Sequence, residues 1–234
     1  MSARTEDAPT SSAADLAIDA IRARLRAGLL VPGQRIIGSE LAEELGISRI
    51  PVREAIHRLT GEGLIELDRN RSPRIRPVTA RDLLDMLHLM AALGTLGIRL
   101  ATAALAKMAE GDPARRDVER RLDSIIRAAA EREAFLFNEE VHAFHAALTE
   151  LTGNRYLRSA FSGLHSEYFT RDLAPRLRKA HWQGMAENYR HLRKAMLAGD
   201  THAAAGAYQR HMDWVIGELF PELSPVPLAE ESSP

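Results

Sequence analysis

The stretch Leu41-Ala-Glu-Glu-Leu-Gly-Ile-Ser-Arg-Ile-Pro-Val-Arg-Glu-Ala-Ile-His-Arg-Leu59 constrains this chain more than any other. Its apolar positions Ala42, Leu45, Ile47, Val52, Ile56 and Leu59 fall at helical spacing on either side of a break at Gly46. The pattern predicts two short helices that share one small core, Ser39 to Leu45 and Ser48 to about Gly61. Pro51 lies in the first turn of the second, where its missing N–H costs no helical hydrogen bond. Arg49, Arg53 and Arg58 stay outside that core. A helix that enters the major groove needs this division, with apolar residues behind and arginines in front. The planar guanidinium fork fits guanine O6 and N7, or a phosphate.

The flanks extend the same reading. A helix from about Asp15 to Leu30, with Ile18, Ile21 and Leu25 on one face, is expected to stop at Val31-Pro32-Gly33. After the pair of helices, Gly63–Leu67 reads as a strand, Asp68–Pro73 as a turn and Arg74–Arg76 as a returning strand. That hairpin offers Arg69, Arg71, Arg74 and Arg76, which suits contact with a DNA backbone or minor groove. Residues 20–78 carry eleven Arg against seven acids, a net +4, whereas the whole chain is −1 and the remainder −5. The distribution of charge, rather than its total, points to nucleic acid.

Beyond Pro77-Val78 nearly everything reads as helix. Thr79-Ala-Arg-Asp82 resembles a capping box and opens a long helix expected to reach Ala109, with a kink at Gly94 and Gly97. Further helices are expected from Asp112-Pro113, over Glu133–Leu151, from Asn154 to about Leu173, and near 184–198 and 201–219. The expected organisation is a disordered arm (1–13), a winged helix-turn-helix (14–78), an all-helical effector-binding and dimerisation domain (79–220) and a flexible tail (221–234). The fold class is mainly α with one small β-hairpin. The chain has no cysteine, which excludes disulfides, thiolate metal sites and a cysteine nucleophile. The first fifteen residues hold no apolar segment of a signal peptide, and no run approaches the roughly 18 apolar residues that span a bilayer. The expected location is the cytoplasm, with no membrane partner.

Gly28-x-x-x-Pro-Gly33, Glu40-Leu-Ala, Leu45-Gly-Ile-Ser-Arg, Pro51-Val-Arg-Glu-Ala and Leu59-x-x-Glu-Gly-Leu64 resemble the winged helix of the GntR family of transcription regulators. The resemblance implies operator contacts from Ser48, Arg49, Arg53 and Arg58 on the recognition helix, and from Arg71 and Arg74 on the wing. Arg35, just before the second helix, becomes a phosphate contact. The wing departs from the family pattern, which usually has Gly where Ser72-Pro73 stands. Phe144-His145-x-x-Leu148, Gly153-Asn154-x-x-Leu157, Ala195-x-x-x-Gly199-Asp200 and His211 resemble the helical FCD domain of the FadR subgroup. That likeness implies a small-molecule effector and a homodimer on a palindromic, double-stranded operator. The face from Leu83 to Leu105 serves packing or a dimer contact.

In metal-binding members of that subgroup one Asp and three His hold zinc, nickel or manganese inside the bundle. Here Val141 and Tyr189 stand at two of those positions, and only His145 and His211 remain as metal-ligand candidates. No cofactor is therefore certain. Met90 and Gly94 stand where many relatives carry Arg and Glu. The candidate effector contacts are His145, Tyr189, His211, His142 and Met90, around a pocket for an apolar or neutral molecule. Two alternatives stay open: a regulator whose pocket is filled by its own side chains, and an enzyme using His142, His145 and Tyr189. No nucleophile motif or phosphate loop accompanies those three, so the chain is expected not to be an enzyme.

Overall fold

The computed structural model describes residues 12–164 and 177–221. The chain divides into two compact units between Val78 and Thr79. The first unit holds α1 (Ala13–Ala27), α2 (Gly38–Leu45), α3 (Arg49–Gly61), β1 (Ile65–Leu67) and β2 (Pro73–Ile75). Ser12 and Asp15 form a reciprocal capping box that starts α1. The helix ends earlier than the Val31-Pro32-Gly33 signal suggests. Gly28 adopts a left-handed conformation (φ 76°), and its N–H turns back to the Arg24 and Leu25 carbonyls.

The two strands pair antiparallel with Ile65 opposite Ile75 and Leu67 opposite Pro73. Ile21, Leu25, Val52, Ala55, Leu59, Ile65 and Ile75 are buried together in this unit. Of the six apolar positions read from the helix pair, Ala42, Val52 and Leu59 are buried, whereas Leu45, Ile47 and Ile56 are half-buried.

The second unit contains α4 (Ala80–Leu105), α5 (Pro113–Glu131), α6 (Ala134–Thr152), α7 (Arg155–Gly163), α8 (Lys179–Leu197) and α9 (Thr201–Leu219). Here α4 packs on α6, α7, α8 and α9, and α5 packs on α6 and α8. The Thr79–Asp82 capping box is present. The long helix stops at Leu105 instead of Ala109, because Lys107 and Met108 bond to carbonyls only three residues back.

Gly94 and Gly97 are buried inside an unbroken α4 and mark close packing, not a helix end. The helix begun at Asn154 ends at Gly163, and the rest of the expected span to Leu173 lies outside the described residues, as do most of the arm and tail. α8 begins at Lys179, five residues before the expected start, with the Arg178 N–H donating to His181 Nδ1 at 3.1 Å.

One expectation needs correction. α4 is long and apolar enough, by length and composition, to cross a membrane. Half of that apolar window is buried against other helices, including Leu84, Leu87, Ile98 and Ala101. Its apolar character is that of the central helix of a bundle.

Candidate nucleic-acid interface and bundle interior

Ser48 caps α3 with extended backbone (φ −71°, ψ 164°), yet its hydroxyl makes no capping bond and is left for another partner. Arg49 and Arg53 follow at a spacing of four, so they share one exposed face. Arg35, Arg49, Arg53 and Arg71 carry no ion pair among the described residues.

Arg58 differs. It donates to Glu54 Oε1 at 2.6 Å and to Asp15 Oδ1 at 2.8 Å, tying α3 to α1. The Glu54 hydrogen bond raises its pKa, with Glu54 charge and Asp15 adding to the effect. Arg74 is also engaged, with Asp68 Oδ2 and the Gly33 carbonyl, both at 3.2 Å.

The wing is organised by Asp68. Its Oδ1 accepts the N–H groups of Asn70 (2.9 Å) and Ser72 (2.8 Å), and the Ser72 bond is the main reason its carboxyl lies below the usual range. Arg71, at the tip, has φ 57°, a left-handed conformation that a Cβ-bearing residue rarely adopts. The chain therefore builds with Asp68 a turn that Gly would make without strain. Sequence reasoning missed Ile50, which lies between Arg49 and Arg53 and is 76% exposed. An apolar side chain on that face suits a thymine methyl group. The only signal for it was an apolar residue outside the core pattern.

Inside the second unit, His145 of α6 meets Tyr208 of α9, with His145 Nε2 and the Tyr208 hydroxyl 2.9 Å apart and both residues buried. The backbone at Val141 favours the charged form of the ring. Burial first, then the charge of nearby His142, pushes its pKa from 6.5 to about 3. Phe161 stacks on the imidazole at 5.1 Å between centroids.

His211 packs edge-on to Tyr189 of α8 at 4.9 Å, and burial pushes it down to about 4. Its Nδ1 is buried with no hydrogen-bond partner among the described residues. Burial likewise pushes the Tyr189 and Tyr208 hydroxyls up, so both stay protonated. Met90 is buried on α4, and His142 is half-buried. Among the described residues no three His, Asp or Glu side chains are grouped to hold a metal ion. With His145 Nε2 engaged by Tyr208, the residues present do not fit one.

Tyr208 was not anticipated. It lies one turn before His211 on α9, and its ring fills a notch on α4: a Cβ at Gly94 would fall 2.2 Å from Tyr208 Cε1. Trp214 uses a second notch, at Gly184 of α8, where a Cβ would fall 2.5 Å from its Cζ2. A glycine in mid-helix, opposite an aromatic one helix away, was the available signal.

A small helical unit with a braced β-wing and an arginine-bearing third helix, followed by an all-α bundle with a buried aromatic–histidine interior, defines a class of ligand-responsive DNA-binding regulators. The profile "Bacterial regulatory proteins, gntR family" matches residues 14–75, and "FCD domain" matches residues 85–213. The chain belongs to the GntR-family regulators with an FCD effector domain, consistent with the FadR-like subgroup.

It is 28% identical over 194 residues to a probable D-xylose utilization operon transcriptional repressor of Paenarthrobacter nicotinovorans, covering 83% of each chain. It is 26% identical over 207 residues to the HTH-type transcriptional regulator LutR of Bacillus subtilis, covering 80% of this chain and 92% of LutR. The solved structure of E. coli McbR/YncC superposes with a TM-score of 0.75 at 21% identity, covering 92% of this chain and 100% of that one, and shows the same fold. The family matches make the chain a transcription regulator.

Proposed function

We propose that this regulator binds a palindromic operator as a cytoplasmic homodimer through Arg49 and Arg53, under control of a small neutral molecule in the bundle. The observation that carries this reading is the division of the arginines. Arg58 and Arg74 are engaged in internal contacts, whereas Arg49 and Arg53 stand exposed beside Ile50 with no ion pair among the described residues. Ser48 and Arg35 then serve as phosphate contacts, and Arg71 as the wing contact. The outer side of α4, where Leu89 and Leu100 remain exposed, offers apolar surface to a second copy.

The neutral character of the effector follows from the interior. His145 and His211 are both held uncharged at neutral pH, and a carboxylate placed against them would lose its hydration without gaining a cation. A second reading, in which the interior is filled and senses nothing, is favoured by one observation: the Tyr208 ring already closes the space at Gly94 and Nε2 of His145.

The test of the DNA reading is Arg49→Ala against a selected operator. Specific affinity is expected to fall roughly tenfold to a hundredfold, with relaxed base preference at one position of each half-site. Wild-type affinity and footprint in that variant would reject the assignment. Release of the operator by any neutral metabolite from a screened panel would reject the filled-interior reading.

A further inference from the structure

The chemistry that a metal supplies in such a bundle is cross-linking, since one ion accepts lone pairs from side chains on separate helices. Such a site requires a deprotonated imidazole nitrogen with its lone pair open. In this chain His145 Nε2 already has a partner, the Tyr208 hydroxyl at 2.9 Å. The hydroxyl reaches that position because the Tyr208 ring rests on bare backbone at Gly94, where any side chain would overlap the ring within 2.2–2.4 Å. Three elements are joined this way: α6 through His145, α9 through Tyr208, and α4 through the notch. Val141, one turn before His145 on the same helix face, is buried and apolar. Tyr189, against His211, presents a phenol instead of an imidazole.

We propose that Tyr208 is the built-in replacement for a metal ion in this bundle, linking α6 to α9 across Gly94 and leaving the regulator independent of divalent metals. The residue acts by position, because its hydroxyl occupies the one nitrogen of His145 that an ion would need. The inference concerns the bundle alone and does not depend on which operator or effector the protein uses.

The test uses the full chain with zinc or nickel chloride as the only added ligand. In the wild type, neither metal is expected to shift the thermal midpoint, and prior treatment with EDTA is expected to leave it unchanged. Two variants then isolate Tyr208. One carries Val141→Asp and Tyr189→His, which supply ligands next to His145 and His211. The other carries the same pair together with Tyr208→Phe, which keeps the ring and removes the hydroxyl. Calorimetry is expected to show zinc bound at least about tenfold more tightly when the hydroxyl is gone, the scale on which groups that contact a ligating histidine act.

Equal zinc affinity in the two variants would overturn the proposal. So would stabilisation of the wild type by micromolar zinc, a result that needs neither variant to fold.

Discussion

The two units handle their polar side chains in opposite ways. In the DNA-binding unit the important cations are at the surface, and what separates them is pairing: Arg58 and Arg74 have carboxylate partners, whereas Arg49 and Arg53 have none among the described residues. In the bundle the important groups are buried and uncharged, and what separates them is hydrogen bonding: His145 Nε2 is bonded to Tyr208, whereas Nδ1 of His211 has no partner among the described residues. A surface cation signals function by lacking an internal partner. A buried imidazole signals function through the valence it keeps open.

Acid should separate the units most strongly. Both buried histidines titrate below their unfolded value of 6.5, at about 3 for His145 and about 4 for His211. The unfolded chain therefore binds protons more readily than the folded one between these values and 6.5. Stability contributed by the neutral imidazoles is complete above pH 6.5 and falls as pH drops toward 4 and then 3. The slope is about 1.4 kcal/mol per pH unit for each histidine. Both tryptophans, Trp182 and Trp214, are in the bundle, so their fluorescence in urea melts follows that unit alone. His211→Phe should roughly halve the slope between pH 6 and 4.5, and an unchanged slope would mean that His211 is not buried in the neutral form.

Next in size is Gly94→Ala. The added methyl would overlap the Tyr208 ring, and overpacking of that kind costs about 3 kcal/mol in a well-packed core. Combining it with Tyr208→Leu should recover part of the loss, because the two positions share one space. Additive losses in urea denaturation would show that the notch is not the source of the cost.

The DNA-binding unit was legible because its chemistry is local. The pattern from Leu41 to Leu59 carries the helices, the turn and the arginines within one short stretch, and the observed α2 and α3 follow it to within a residue. Ion pairing was not legible, since the partners of Arg58 include Asp15, forty-three residues away. The bundle interior was read only in part for the same reason. His145 and His211 could be singled out by type and spacing, but the Tyr208 hydroxyl meets His145 across sixty-three residues, and Gly94 read as a kink when seen along its own helix. A glycine that makes room for a ring on another helix looks the same in sequence as a glycine that weakens its own.

The division among the arginines is sharpest on α3, where Arg53 and Arg58 are of one residue type on one helix. Arg53→Ala should cost roughly tenfold or more in operator affinity, and the slope of log affinity against log salt should fall by about one if its partner is a phosphate. Arg58→Ala should change that affinity no more than about threefold and leave the salt slope unaltered, because the guanidinium already serves Glu54 and Asp15, and exposed pairs of this kind contribute little. Fluorescence anisotropy over a salt series with both variants measures the two quantities together. Equal losses would mean that an ion pair within the free protein does not predict which arginines are withheld from DNA, and that Arg58 exchanges its carboxylates for the operator on binding.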